Sequence, residues 1–146
     1  MQARRALLLV EDDCLDATIT RRCLKELNIH CEVVHKTSGE VAMEYLRNCR
    51  GDLPCAILLD LNMPRMSGIE FLTHIKADVV LSSIPVLVVT TSSVSDDAET
   101  CRKLGATEYI VKDCDWHAFT EHMRCVQKYG VYAGTGPTVS IEVKRS

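Results

Sequence analysis

Ala56-Ile57-Leu58-Leu59-Asp60 places four consecutive apolar residues directly before a single acid. A short run that is apolar at every position is typical of a strand whose two faces are both buried, as in a parallel sheet covered by helices. Strand-like runs also occupy residues 7–10, 86–89 and 108–111, and each is followed by a polar or charged residue. These runs predict the strands of one parallel sheet.

Helical patterns lie between the strand-like runs. We expect strands at residues 6–10, 31–35, 56–59, 85–89 and 109–111, and helices at residues 14–27, 40–49, 67–77, 96–104 and 115–129. Apolar residues at helical spacing mark one face of each of the first three helices: Leu15, Ile19, Cys23 and Leu27; Val41, Tyr45 and Cys49; Ile69, Leu72 and Ile75. Five strands that alternate with five helices indicate an α/β fold, a doubly wound five-stranded parallel sheet in a (βα)5 three-layer sandwich.

The composition is that of one globular domain. The chain has 146 residues, 47% of them apolar, and we assign residues 1–130 to a single domain. A net charge of -3 without an extended basic patch argues against nucleic-acid binding. No run approaches the roughly 20 apolar residues of a membrane span or the roughly 7–15 of a signal peptide, so we expect no membrane insertion and a cytoplasmic location.

Two features of the chain leave alternatives open. Eight cysteines without a Cys-x-x-Cys pair predict reduced thiols that serve as small core residues, with a redox or metal role as the alternative. Residues 131–146 form a C-terminal extension in which positions 138–143 alternate polar and apolar side chains. This extension is either an extra strand, added at a sheet edge or exchanged with a second chain in a homodimer, or a frayed terminus.

The polar residues that follow the strands define the expected site. The carboxyl ends of parallel strands lie at one edge of a sheet, and ligands bind there near the point where the strand order reverses. Glu11, Asp12 and Asp60 would therefore lie close together, and three like charges require a cation such as Mg²⁺, which takes oxygen ligands. The backbone carbonyl of Asn62 could complete this metal shell.

A site of this kind can carry a phosphoryl group. Asp60 stands alone at the end of the central strand and is the expected nucleophile, because carboxylates form aspartyl-phosphate intermediates. Phosphoryl transfer depends mostly on positioning and on stabilisation of charge. Lys112 and the hydroxyl of Thr90, which follow two other strands, would each bind one phosphoryl oxygen.

Each of these residues also has a purely structural interpretation. Asp13 fits a helix N-cap, and Glu11 and Asp12 could serve the same helix end. Asp60 alone would be an ordinary strand-end acid, and Lys112 alone a surface lysine. The joint arrangement at four strand ends favours the phosphoryl site.

The same residues make the chain resemble the receiver domain of two-component response regulators, over about residues 6–129. The resemblance implies a flavodoxin-like fold and phosphorylation of Asp60 by a histidine kinase or a phosphotransfer protein. It implies that Mg²⁺ is held by two further acids and one carbonyl, and that two side chains contact the phosphoryl group. The motifs that carry it are Val10-Glu11-Asp12, Asp60, Met63-Pro64, Ser67-Gly68, Thr90, Gly105-Ala106, Tyr109 and Lys112. The metal ligands it implies are Glu11, Asp12, Asp60 and the Asn62 carbonyl, and the phosphoryl contacts are Thr90 and Lys112.

The resemblance also implies a switch and an output. Thr90 would move toward the phosphoryl group and Tyr109 would turn inward, which would change the face formed by the fourth helix, the fifth strand and the fifth helix. Only 17 residues follow Tyr129, so we expect a receiver without an output domain that binds a downstream protein target. The run Thr90-Thr91-Ser92 and residues 78–83 are similar to single-domain regulators paired with bacterial phytochromes, which implies a phytochrome-type histidine kinase.

One position departs from the family pattern. Receivers usually carry proline after the lysine, often with a cis peptide bond, whereas this chain has Lys112-Asp113. Because a cis bond to a residue other than proline costs about 2.5–4 kcal/mol, we expect a trans bond here. The placement of the Lys112 side chain is therefore left open by the sequence.

Three other functions compete with the phosphorylation switch. A degenerate receiver would bind partners without phosphorylation, and failure to bind Mg²⁺ would favour it. A phosphatase of the haloacid dehalogenase type needs a second Asp two residues after the nucleophile, where this chain has Asn62. A flavodoxin-like flavin carrier would offer hydroxyls and N–H groups to a phosphate, which the acids at positions 11–13 would repel. We expect a phospho-acceptor that assists its own phosphorylation and dephosphorylation, not a turnover enzyme.

Overall fold

The computed structural model describes residues 6–92 and 95–130. Within them, five parallel strands form a sheet in the order β2-β1-β3-β4-β5, which confirms the predicted α/β architecture. The strands are β1 (Leu7–Val10), β2 (Val33–Lys36), β3 (Ala56–Leu59), β4 (Val86–Thr90) and β5 (Glu108–Val111). Each pairs in parallel with its neighbours, so all five strands end at the same edge of the sheet.

Helices follow the strands in the expected alternation. They are α1 (Cys14–Glu26), α2 (Gly39–Arg47), α3 (Gly68–Ala77), α4 (Ser95–Leu104), α5 (Trp116–Met123) and α6 (Gln127–Gly130). The segment expected as one helix at 115–129 is helical, but a 3-10 turn at Arg124–Val126 divides it into α5 and α6. The side chain of Val126 is fully buried, and this tighter turn brings it into the core.

The sheet separates two apolar cores. Alternate strand residues point to opposite faces, so Leu8 and Val10 pack with residues of α2, α3 and α4, whereas Leu7 and Leu9 pack with residues of α1 and α5. This division gives three layers, with helices on both faces of the sheet. The continuous apolar runs predicted the strands correctly because each strand must supply side chains to both cores.

The predicted faces of α1 and α2 were wrong in part. Leu15 is 68% exposed and Val41 is 44% exposed. A helix turns once every 3.6 residues, so a set of residues spaced by four drifts around it and does not mark one buried face. In α3 the predicted residues Leu72 and Ile75 are buried, as expected. The buried residues are Ala17, Thr20, Cys23 and Leu24 in α1, and Gly39, Ala42, Met43 and Leu46 in α2.

Several smaller expectations can be compared with the structure. Cys23 and Cys101 are buried like small core residues, whereas Cys14 and Cys114 are exposed, so the core role does not extend to every cysteine. No cis peptide bond occurs in the described residues, and the bond after Lys112 is therefore trans as expected. In the same part of the chain, no helix combines the length and apolarity needed to cross a membrane. The extra strand considered for residues 138–143 lies outside the described residues.

Candidate functional site

Three carboxylates meet where β1 and β3 end. One carboxylate oxygen from each of Glu11, Asp12 and Asp60 lies within 4.8 Å of the others. Hydrogen bonds to neighbouring strands fix the backbone positions of two of these acids. Glu11 donates its N–H to the Lys36 carbonyl at 3.0 Å, and Asp60 donates its N–H to the Val10 carbonyl at 3.0 Å. The three acids selected from the sequence are thus brought together at one edge of the sheet.

Burial makes the negative charge of this cluster energetically costly. Glu11 is 2% exposed and Asp60 is 6% exposed. The pKa of Glu11 is raised to about 7, chiefly because burial disfavours its charged form and also because the charge of Asp60 repels it. The Lys112 ammonium and the N–H of Asp13 oppose this rise without cancelling it. Ionisation of Glu11 beside Asp60 is therefore unfavourable unless a further cation is present.

Lys112, at the end of β5, is the cation of the site. Its Nζ lies 2.7 Å from Glu11 Oε1, 3.0 Å from Asp16 Oδ2 and 4.0 Å from Asp60 Oδ1. Burial acts to lower the pKa of Lys112, but the hydrogen bonds that its ammonium donates to Glu11 and Asp16, together with the charge of Asp60, raise that pKa overall. The ammonium thus stays charged while it lies among carboxylates.

Asp16 is a site residue that the sequence interpretation missed. It lies in the first turn of α1, three residues after the N-cap Asp13. An acid in the first turn of a helix is favoured by the helix dipole alone, so this position did not indicate a contact with Lys112. The contact between Asp16 and Lys112 joins α1 to the end of β5.

Hydrogen bonds hold the turn between β1 and α1 in place. Asp13 is the N-cap of α1, as predicted, and its Oδ1 accepts the N–H groups of Leu15 at 2.8 Å and Asp16 at 3.1 Å. On the other side, Nε2 of His35 lies 2.7 Å from the carbonyl oxygen of Glu11. A carbonyl oxygen can only accept a hydrogen bond, so this nitrogen carries the proton. His35 had no signal in the sequence beyond its place in a strand.

A glycine packs the start of α3 against the residues after β3. Gly68 donates its N–H to the Leu61 carbonyl at 3.0 Å. A Cβ at this position would overlap the carbonyl oxygen of Asp60 and lie 2.5 Å from Cα of Leu61. Ser67 and Glu70 form a capping box that begins the helix. The position of the Asp60 backbone therefore depends on the absence of a side chain at residue 68.

Thr90, at the end of β4, connects the acids to the next loop. Its hydroxyl oxygen accepts hydrogen bonds from Nδ2 of Asn62 at 3.3 Å and from the N–H of Ser92 at 3.3 Å. Ser92 in turn accepts the phenolic hydroxyl of Tyr109 at 2.9 Å through its carbonyl, and its own hydroxyl donates to Asp97 of α4 at 2.7 Å. The predicted residues Thr90 and Tyr109 are thus linked through Ser92, whereas the role predicted for the Asn62 carbonyl stays a prediction.

Comparison with known proteins places this arrangement in a family. Residues 7–124 match the response regulator receiver domain, and the chain belongs to this family. It is 36% identical over 113 residues to the response regulator Rcp1 of Synechocystis, a match that covers 74% of this chain and 76% of Rcp1. Members of the family are signalling modules of two-component systems.

Solved structures agree with this assignment. The phosphorylated cyanobacterial phytochrome response regulator RcpA is 32% identical, with a TM-score of 0.78, over 93% of this chain and 100% of that chain. The Mn²⁺-bound form of response regulator Rcp1 is 30% identical, with a TM-score of 0.76, over 92% of this chain and 99% of that chain. The donor set of Glu11, Asp12 and Asp60 consists of carboxylate oxygens and fits a divalent metal.

Proposed function

We propose that this protein is a phosphorylation-dependent switch in which Asp60 accepts a phosphoryl group. The observation that carries the proposal is the position of the Asp60 carboxylate, which lies beside two acids and 4.0 Å from the Lys112 ammonium at the end of a central strand. An acid in this setting can act as a nucleophile toward phosphorus while a cation stabilises the transferred group. The phosphorylated state of the similar regulator RcpA supports the proposal.

We further propose that Glu11, Asp12 and Asp60, with the carbonyl of Asn62, hold Mg²⁺. The raised pKa of Glu11 and the excess of carboxylates over cations support a metal at this place. When bound, a divalent cation would offset the charge of the acids and of an arriving phosphoryl group. The Mn²⁺-bound form of Rcp1 is a precedent for a divalent ion in a similar protein.

The transfer step involves one bond formed and one bond broken. An oxygen of Asp60 attacks the phosphorus of a phosphohistidine, the O–P bond forms and the N–P bond breaks. The imidazole leaves with the electron pair of that bond and takes up a proton. Lys112 donates an N–H to one phosphoryl oxygen, and the hydroxyl of Thr90 donates to another, so that charge is stabilised where it accumulates.

The hydrogen bonds of Thr90 support a conformational output. If the Thr90 hydroxyl turns to donate to the phosphoryl group, its bonds with Asn62 and Ser92 change. Ser92 also holds Tyr109 of β5 and Asp97 of α4, so a shift of Ser92 alters both contacts. Phosphorylation would then bias two arrangements of the face formed by α4, β5 and α5, to which a downstream protein target binds.

The proposed phosphoryl donor is a histidine kinase of the phytochrome type, directly or through a phosphotransfer protein. The likeness to Rcp1 and to the phytochrome response regulator RcpA supports this choice. In this role the protein is a phospho-acceptor that assists its own phosphorylation and dephosphorylation.

Intact-mass spectrometry tests the proposal. The protein is incubated with acetyl phosphate, with and without Mg²⁺, beside the variants Asp60→Asn and Asp52→Asn. Asp52 is an exposed acid in the loop before β3 and serves as the matched control. We expect one Mg²⁺-dependent phosphoryl adduct on the native protein and on Asp52→Asn, and none on Asp60→Asn.

A second measurement separates rapid hydrolysis from a failure to react. Beryllofluoride mimics a phosphoryl group on a carboxylate, and Mg²⁺-dependent binding can be followed through the fluorescence of Trp116, the single tryptophan of the chain. An adduct on Asp60→Asn, or the absence of both an adduct and beryllofluoride binding, would contradict the proposal. The second outcome would leave a binding module that acts without phosphorylation.

A further inference from the structure

Asp16, in the first turn of α1, contacts the lysine of the site from outside the acid cluster. Its Oδ2 lies 3.0 Å from Lys112 Nζ, and Glu11 Oε1 lies 2.7 Å from the same nitrogen. The three acids whose oxygens converge within 4.8 Å are Glu11, Asp12 and Asp60, and Asp16 is not one of them. Lys112 thus donates one hydrogen bond to an acid of the cluster, Glu11, and one to an acid outside the cluster, Asp16.

We propose that Asp16 is a positioning residue for the phosphorylation of Asp60. Asp16 holds the Lys112 ammonium where it can meet a phosphoryl oxygen and keeps it out of direct contact with the Asp60 carboxylate. This inference rests on the proposed function, which it deepens by assigning a role to a residue outside the metal and phosphoryl contacts.

The geometry of the ammonium carries the proposal. A lysine ammonium has three N–H donors, and Glu11 and Asp16 take two of them. The distance of 4.0 Å to Asp60 Oδ1 is too long for a hydrogen bond. The oxygens of Asp60 therefore keep their lone pairs for attack on phosphorus. A phosphoryl oxygen, which lies beyond the carboxylate oxygen once the O–P bond has formed, comes within reach of the third donor.

Loss of the Asp16 charge would change this balance. The ion pairs of Lys112 in the described residues are those with Glu11, Asp16 and Asp60. Without Asp16, Asp60 is the next carboxylate that attracts the ammonium, and a direct ion pair between Lys112 and Asp60 would occupy the nucleophile. Glu11 already accepts one hydrogen bond from Lys112, and its carboxylate also belongs to the acid cluster. It therefore does not take over the contact that Asp16 makes.

Three variants test the role of Asp16. Asp16→Asn removes its charge, Asp16→Glu restores a carboxylate, and Asp113→Asn removes a charge next to Lys112. Asp113 is the matched control because its carboxylate accepts the N–H of Asp115 at 2.8 Å and makes no ion pair with Lys112 in the described residues. The readouts are the initial rate of Mg²⁺-dependent phosphorylation by acetyl phosphate and the Mg²⁺ affinity measured through Trp116 fluorescence.

We expect Asp16→Asn to slow phosphorylation about tenfold, which is less than the roughly 100-fold loss that a displacement of about 1 Å can cause. The Mg²⁺ affinity should change far less than the rate, Asp16→Glu should recover most of the rate, and Asp113→Asn should react like the native protein. A loss of Mg²⁺ affinity in Asp16→Asn equal to the loss of rate would overturn the proposal in favour of a general disturbance of the site.

A double-mutant cycle with Lys112→Gln separates positioning from a structural role. If Asp16 acts through Lys112, adding Asp16→Asn to Lys112→Gln should leave the already slow rate unchanged. An equal slowing in both backgrounds, or a native rate in Asp16→Asn, would overturn the inference while the phosphorylation of Asp60 stands. If the native protein accepts no phosphoryl group and binds no beryllofluoride, the proposed function fails and the inference fails with it.

Discussion

Two partly buried lysines of this protein differ in what receives their hydrogen bonds. Lys76, at the end of α3, donates to the backbone carbonyls of Ser82 at 3.1 Å and Ile84 at 3.2 Å. Lys112, at the end of β5, donates to the carboxylates of Glu11 and Asp16. One ammonium therefore closes a loop through neutral dipoles, and the other lies among charges.

The pKa values of the two lysines move in opposite directions. Burial lowers the pKa of Lys76, and its carbonyl acceptors do not reverse that effect. Burial also acts to lower the pKa of Lys112, but the hydrogen bonds to Glu11 and Asp16 and the charge of Asp60 raise it overall. Burial alone therefore does not set the direction in which the pKa of a lysine moves, because the charge of its hydrogen-bond acceptors can reverse the effect.

The largest expected effect separates the two lysines by activity. Lys112→Gln removes the donor proposed to stabilise the phosphoryl group, and we expect its rate of phosphorylation by acetyl phosphate to fall about 100-fold or more. Lys76→Gln should react at the native rate, because Lys76 donates to carbonyls of the loop that precedes β4. Intact-mass spectrometry over time measures both rates. A native rate in Lys112→Gln would mean that Lys112 does not contribute to the phosphorylation of Asp60.

The next effect separates them by stability. Lys76→Met leaves the carbonyls of Ser82 and Ile84 without their ammonium donor, and we expect the free energy of unfolding to fall by about 1–3 kcal/mol. Urea denaturation followed by circular dichroism measures this change. The control is Lys103→Met, since the Lys103 side chain is 71% exposed and contributes little. Equal losses in the two variants would mean that the carbonyl contacts of Lys76 contribute nothing.

His35 offers an intermediate case, a donor to a carbonyl that lies beside the acids. His35→Leu removes the hydrogen bond to the Glu11 carbonyl, and we expect the dissociation constant of Mg²⁺ to rise about tenfold, as when a residue that orients a metal ligand is lost. His35→Gln keeps an N–H donor and should retain more of the affinity. Trp116 fluorescence during a Mg²⁺ titration measures both. Identical affinities in the two variants would exclude the hydrogen bond as the cause.

The smallest expected effect is a pH dependence that comes from Glu11. Its pKa is raised from 4.5 to about 7 in the folded protein, so between these values the folded state holds a proton that the unfolded state has released. The free energy of unfolding contributed by Glu11 therefore falls as pH rises through this window. We expect the Tm to decrease by a few degrees, and Mg²⁺ to raise it more at pH 7 than at pH 5. A Mg²⁺ effect of equal size at both pH values would contradict this account.

The backbone positions of the acids and of Lys112 could be predicted from the sequence because they depend on the topology of the sheet. In a parallel sheet every strand end lies at one edge, whatever the rotation of the surrounding helices. The runs recognised as strands fixed the Cα positions of the residues that follow them. These residues are Glu11, Asp12, Asp60 and Lys112. Thr90 was selected because it follows the fourth apolar run, whereas Tyr109 lies within β5 and was named only through the family resemblance.

The rest depended on helix rotation, which a spacing of four does not fix. The interpretation of α1 grouped Leu15 with Cys23 and Leu27, whereas Leu15 is exposed in the structure. The same rotation brings Asp16, the next residue, toward Lys112. The contact of Asp16 with Lys112 depends on this rotation and had no counterpart in the sequence pattern. The trans peptide bond after Lys112 was predicted correctly, because it followed from the cost of a cis bond.

The contact of Gly68 with the end of β3 has a consequence for how fast a phosphoryl donor can be accepted. The hydrogen bond from Gly68 to the Leu61 carbonyl closes the loop that follows Asp60 into a ring. The conformational entropy of this loop is lost when the protein folds, so it is not lost again when a donor arrives. A side chain at position 68 would open the ring and displace the Asp60 backbone, so the loop would have to be ordered again at each encounter with a donor.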